Sequence, residues 1–261
     1  MKNRIEQLFS SPQNNILAVY YTAGFPNAGD TGLIARCLQQ AGADIIEIGI
    51  PFSDPIADGP VIQESNKIAL ENGMTVKKLI GEVREIRKSV TVPIILMGYL
   101  NPVMQYGVEK FCQEASTAGV DGIILPDMPM GEYESEYKTI VESSGLSNSF
   151  LISPTTSAER IRRVDDATQG FIYAVSASST TGAKSEFTAE QETYFLKLKA
   201  MRLKNPFLVG FGISNHLSFS KACEYGAGAI VGSAFISMIK GSTDLTVDIE
   251  KFVKRIKYKG H

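Results

Sequence analysis

Two carboxylates, Glu47 and Asp58, bracket the stretch Glu47-Ile48-Gly49-Ile50-Pro51-Phe52-Ser53-Asp54-Pro55-Ile56-Ala57-Asp58. Glu47 sits near the end of the apolar run Asp44–Gly49, which predicts a strand. Asp58 closes a loop stiffened by Pro51 and Pro55, just ahead of Gly59-Pro60. A carboxylate at a strand end, faced by another on a restrained loop, suits proton transfer beside charge stabilisation. Each has a plainer use as well. Glu47 can serve a structural ion pair, and Asp58 can cap the helix that Pro60 would begin. A buried, unpaired glutamate would be costly, and that cost points to function.

The last third of the chain supplies a second constellation. Gly210-Phe211-Gly212-Ile213-Ser214 and Gly232-Ser233-Ala234 each follow an apolar run and precede a helical pattern. Glycines at such turns let backbone N–H groups close on an anion at a helix start. Both turns together predict a phosphorylated ligand. The segment Ser176–Lys184 is small and polar, fit for a lid over a ligand or for a plain solvated loop. Tyr173 is a core aromatic unless its ring points inward near the strand end, where its hydroxyl would meet the ligand.

These residues need elements to hold them. The predicted strands are Ile16–Thr22, Asp44–Gly49, Pro93–Gly98, Asp121–Leu125, Ser149–Ser153, Phe171–Ser176, Phe207–Gly210 and Ala229–Val231. Helical patterns between them include 30–40, 61–71, 75–88, 109–118, 132–143, 158–167, 189–202 and 215–224. Strict alternation predicts a parallel sheet with crossover helices, and eight units predict an α/β fold of the closed (β/α)8 TIM-barrel type. Apolar spacing at Ile5, Leu8 and Phe9 adds an N-terminal helix. In such a barrel the chemistry belongs to the loops after the strands, where Glu47, Asp58 and both glycine turns fall. A weak repeat supports the scheme: Gly42, Gly119 and Gly226 each stand between a helical pattern and an apolar strand. An open doubly wound sheet is the alternative, but Thr22-Ala23-Gly24-Phe25-Pro26 is no nucleotide-binding glycine turn.

Bulk properties narrow the function. The 261 residues are 44% hydrophobic and 21% charged, with net charge −2, so one domain over 1–261 is expected. No basic footprint for nucleic acid or anionic membrane is present. The chain shows neither a signal peptide nor a run of about 18 apolar residues, which predicts a cytoplasmic protein. Cys37, Cys112 and Cys223 lie in separate helical patterns and are expected as free thiols. With His216 and His261 as the only histidines, no histidine cluster is available to a catalytic metal. No predicted strand carries a lysine, which disfavours Schiff-base chemistry, and no cofactor fingerprint is visible. Acid–base work by carboxylates on a phosphorylated small molecule remains.

The segment from Glu47-Ile48-Gly49 through Pro51-Phe52-Ser53-Asp54-Pro55-Ile56-Ala57-Asp58-Gly59-Pro60 resembles the signature of the tryptophan synthase α subunit family. The similarity extends to Thr22-Ala23-Gly24-Phe25-Pro26, Met97-Gly98-Tyr99, Asn101-Pro102, Pro126-Asp127-Met128-Pro129 and the two glycine turns. It implies a lyase that cleaves indole-3-glycerol phosphate to indole and glyceraldehyde 3-phosphate. It also implies roles: Glu47 as general acid/base, and Asp58 as the group that holds the indole N–H and its developing charge. Tyr173 and Phe211 would border the ligand. Gly182, Gly212, Gly232 and Ser233 would hold the phosphate, and Thr181 would contact Asp58 when the lid closes. The partner implied is a β subunit in an α2β2 heterotetramer, approached by the loop around Asp54-Pro55 and by Asp127-Met128-Pro129. Pyridoxal phosphate would belong to that partner, with no cofactor in this chain. One departure stands out: Ser179-Thr180 precede Thr181-Gly182 where the family usually has Gly-Val. Two neighbouring readings share these residues, a stand-alone lyase releasing free indole and a subunit that mainly activates its partner.

Overall fold

The computed structural model describes residues 3–11, 14–176 and 187–259. Its strands are β1 (Ile16–Thr22), β2 (Ile45–Gly49), β3 (Ile94–Met97), β4 (Gly122–Ile124), β5 (Ser147–Asn148), β6 (Leu151–Ile152), β7 (Ile172–Val175), β8 (Phe207–Gly210) and β9 (Gly228–Val231). All pair in parallel, in the order β5-β4-β3-β2-β1-β9-β8-β7-β6. The two ends of that order belong to one stretch of chain. Ser149 N–H bonds the Ile123 carbonyl on the β4 side, and the Phe150 carbonyl accepts Tyr173 N–H on the β7 side. The sheet thus closes on itself as a (β/α)8 barrel whose fifth stave is broken in two.

That fifth stave is where the predicted Ser149–Ser153 strand misses. Pairing begins at Ser147 and changes neighbour after Ser149, so no single run of alternating residues marks it. The predicted helix 132–143 is one helical passage, Met130–Ser143, with a π-turn at Tyr133–Tyr137. The helix Leu100–Tyr106 escapes the sequence pattern because Pro102 reads as a breaker. It lies in the first turn, where a missing N–H costs nothing.

The period of two divides each strand between two layers. Leu17, Val19, Tyr21, Ile46, Ile48, Ile94 and Leu96 face the helices, whereas Ile16, Ala18, Ile45, Ile95, Leu208 and Ile230 pack inside the barrel. Of the helices, α1 (Arg4–Leu8) forms the floor and α3 (Pro60–Glu71) follows the loop that carries Asp58, with α2 (Asp30–Ala41) between them in the chain. The predicted N-terminal helix, α1, closes the bottom. Its Ile5 is buried among the interior side chains, and its Arg4 bonds Asp121 at 3.0 Å. Asp121 also takes Arg87 at 2.8 Å and Ile94 N–H at 2.9 Å, so this buried carboxylate is fully engaged.

Gly42 and Gly119 end their helices in the left-handed conformation, at φ 99° and 96°, as the repeat predicts. Gly226 differs: its φ is −110°, and a Cβ there would come within 2.7 Å of the Phe207 carbonyl oxygen. Close backbone approach, not handedness, requires that glycine. Cys37, Cys112 and Cys223 are free thiols on separate helices. No helix among the described residues is long and apolar enough to cross a membrane.

Candidate active site

Glu47 occupies the inner face of β2, between Tyr20 of β1 and Ile95 of β3 in register. It is fully buried, and neither carboxylate oxygen has a hydrogen-bond partner. A charge so placed is poorly solvated, and burial pushes its pKa up to about 8. The ion-pair alternative is therefore absent: no cation meets Glu47 among the described residues. It is held as a protonated acid near neutral pH.

Asp58 lies in the loop between β2 and α3 and is half-buried. It does not cap α3. Gly59 holds the N-cap position, with Pro60 in the first turn and no side-chain cap bond. Its carboxylate instead accepts the Tyr99 hydroxyl at 3.3 Å, while that same hydroxyl accepts Ala57 N–H at 3.0 Å. Gln63 of α3 ties down the Asp58 carbonyl at 2.9 Å. Burial raises the Asp58 pKa to about 6, and the Tyr99 bond works in the opposite direction. The two carboxylates are thereby separated. Between about 6 and about 8, Asp58 is ionised and Glu47 carries its proton.

Tyr173 points into the barrel from β7, its hydroxyl close over Gly210, where a side chain would collide with the ring. Its pKa is pushed well above the ordinary phenol value by burial, then by Glu47, Tyr20 and Asp58. Phe211 meets the Tyr173 ring edge-on, with centroids 6.3 Å apart. Phe211 has φ 69° and Gly212 φ 76°, two consecutive left-handed residues directly after β8. For phenylalanine that conformation is strained, and strain of this kind collects at ligand sites. The Phe211 carbonyl is held by the Ser176 hydroxyl at 2.8 Å. After β9, Gly232 precedes the helix Ser233–Lys240, whose N-cap makes no side-chain bond. The first N–H groups of that helix thus remain available to an anion. Thr181 and Gly182 lie outside the described residues.

The structure brings Glu47, Asp58, Tyr173, Phe211, Gly212, Gly232 and Ser233 to the C-terminal mouth of one barrel. Two further side chains complete the wall. Tyr99 stands two positions past the end of β3, and only its place in a motif marks it in the sequence. Tyr20 leans its phenol over Gly49 and its ring against Gly232, joining the carboxylate side to the glycine turns. Its signal is the alternation Ile16, Ala18, Tyr20 along β1, and its register with Glu47 and its approach to Gly49 place it on the inner face. No group of three or more His, Cys, Asp or Glu among the described residues is arranged to hold a metal ion.

Fold and mouth together define a (β/α)8-barrel protein with separated carboxylates on one side and, on the other, two glycine turns, the second of which opens a helix without a side-chain cap. Residues 7–259 match the sequence model of the family described as tryptophan synthase alpha chain. The tryptophan synthase alpha chain of Parabacteroides distasonis is 50% identical over 255 residues, 98% of this chain and 99% of that one. That of Flavobacterium johnsoniae is also 50% identical, covering 98% of this chain and all of its own length. Among solved structures, the Legionella pneumophila tryptophan synthase subunit alpha superposes with a TM-score of 0.88 at 36% identity, covering 98% of both chains. A chain of the Pyrococcus furiosus tryptophan synthase complex gives 0.85 at 35% identity, over 94% of this chain and 99% of that one. The chain belongs to the tryptophan synthase alpha chain family.

Proposed function

We propose that Glu47 moves the proton and Asp58 holds the charge in the cleavage of indole-3-glycerol phosphate, the lyase reaction of this family. The observation that carries the assignment is Glu47 itself: fully buried, without a partner, and protonated up to about pH 8. The acid gives its proton to the indole ring carbon that bears the glycerol chain. That carbon becomes tetrahedral, and positive charge moves to the ring nitrogen. Asp58, ionised, accepts the ring N–H and balances the charge. The Glu47 carboxylate then takes the proton of the hydroxyl on the adjoining carbon. The carbon–carbon bond breaks, its electrons return to the ring, and the hydroxyl carbon leaves as an aldehyde. Indole and glyceraldehyde 3-phosphate result, and Glu47 is again protonated.

The phosphate is assigned to the backbone around Gly212, Gly232 and Ser233, with Tyr173 and Phe211 bordering the ring. Thr181 and Gly182 keep the lid and phosphate roles that the family resemblance implies. The chain acts as one domain over 1–261, in the cytoplasm, and pyridoxal phosphate belongs to its partner. That partner is the tryptophan synthase beta subunit. Indole release from indole-3-glycerol phosphate, with and without a beta subunit, tests the function. Cleavage that rises when the beta subunit is added is expected; no cleavage under either condition would overturn it.

A further inference from the structure

The cleavage chemistry above makes no use of Tyr20, yet this residue is the register partner of Glu47 across the β1–β2 ladder. Register partners on neighbouring parallel strands send their side chains to the same face, from backbones about 4.8 Å apart. Here that face is the barrel interior. The Tyr20 phenol oxygen lies 2.2 Å from the position a Cβ on Gly49 would take, so glycine at 49 is what admits it. Its ring also rests against Gly232, 3.5 Å from the corresponding Cβ position there. Two residues along β1, the Thr22 hydroxyl lies 2.7 Å from the Ser65 hydroxyl on α3, whose own hydrogen goes to the Ile62 carbonyl, so Thr22 donates there and not to the phenol. The phenol hydrogen is thus left for an acceptor inside the barrel. Both oxygens of its register partner Glu47 are empty acceptors, whereas Asp58 already receives the Tyr99 hydroxyl on Oδ2.

We propose that Tyr20 is a positioning residue for the proton-transfer step: its hydroxyl turns to the Glu47 carboxylate as that group gives up its proton, aiming it and stabilising the charge left behind. The inference rests on the assignment of Glu47 as the proton donor. While Glu47 is protonated it needs no such donor, which agrees with its unpartnered oxygens. The titratable groups facing the pair are Asp58 from the loop after β2, Tyr99 from beyond β3, and Tyr173 from β7. The other interior neighbours, Ile95, Leu208 and Ile230, carry no charge. Burial, with Asp58 and Glu47 nearby, holds the Tyr20 phenol far above its ordinary pKa, so it remains a neutral donor throughout the working range.

The test is Tyr20→Phe, which keeps the ring against Gly49 and Gly232 and removes only the hydroxyl. In the complex with the beta subunit, kcat for indole-3-glycerol phosphate cleavage is expected to fall about tenfold, as for the loss of a hydrogen bond to a charged group. KM should stay within about twofold of the original. The alkaline limb of the rate profile should move up by about one pH unit. A limb that stays in place would overturn the proposal, as would movement of the acid limb instead, which would assign the hydroxyl to Asp58. A readout independent of turnover is the infrared carboxyl band that disappears in Glu47→Gln. Its titration midpoint should rise in Tyr20→Phe, and an unmoved midpoint overturns the proposal. If Glu47→Gln still turns over normally, the assignment of Glu47 falls. If that variant is inactive and the midpoint is unmoved, only the role of Tyr20 falls.

Discussion

The Tyr99 hydroxyl stands 3.3 Å from Asp58 Oδ2 while accepting the N–H of Ala57, so one side chain from beyond β3 sets both the position and the charge of a residue after β2. Phe52 packs on the Tyr99 ring with centroids 5.1 Å apart, which anchors the arrangement at the loop's other end. Because the hydroxyl favours ionised Asp58, Tyr99→Phe should raise its pKa above about 6. The acid limb of the rate profile should then move to higher pH, with the alkaline limb in place. An unmoved acid limb would show that the bond is structural only.

The separation of the two carboxylates predicts a bell-shaped dependence of kcat/KM on pH. Asp58 must be ionised and Glu47 protonated, so activity should rise through about pH 6 and fall through about pH 8. The substrate phosphate also titrates at about 6. Tyr99→Phe distinguishes the two, since it can move the limb of Asp58 and not that of the substrate. A profile that keeps rising beyond pH 9 would contradict Glu47 as the acid.

Asp58→Asn should cost about 10²-fold in kcat or more, because a neutral amide cannot balance a cationic ring. The same change should leave the unfolding free energy within about 0.5 kcal/mol, since Gly59, not Asp58, holds the cap position of α3. Urea unfolding alongside steady-state kinetics checks both. A mild kinetic loss with clear destabilisation would return Asp58 to a structural role.

Glu47 should also leave a mark on stability. Its folded pKa is raised from 4.5 to about 8, so the folded state binds its proton more tightly than the unfolded chain. That contribution is fully present below pH 4.5 and is lost as pH rises through 8. Between those values the slope approaches about 1.4 kcal/mol per pH unit. Glu47→Gln removes the slope, so its advantage in unfolding free energy should grow from pH 5 to pH 8. Parallel stability curves for the two proteins would contradict the buried-acid description.

Much of this architecture is legible in the chain because its local signals agree. β1 and β8 have the predicted limits, since apolar runs ending at turn residues are unambiguous there. The fifth stave is not legible, because two-residue ladders that change neighbours have no period. The same contrast holds at the mouth. Glu47 declares itself by standing in an apolar strand, and Gly212 and Gly232 by their turns. Tyr20 does not, because its importance comes from register with a distant strand and from room left by Gly49 and Gly232. The capping role open to Asp58 in the sequence fails for a similar reason: the Tyr99 hydroxyl that claims its side chain comes from a different βα unit.

The central claim is that the buried Glu47 carboxyl delivers the proton that breaks the carbon–carbon bond. Single-turnover formation of indole from indole-3-glycerol phosphate by Glu47→Gln, with substrate binding followed in parallel, tests it most directly. The expected result is a rate lowered by about 10²–10⁴-fold, the usual contribution of general acid–base catalysis, with binding retained. Indole formation at a near-normal rate by that variant would contradict the account.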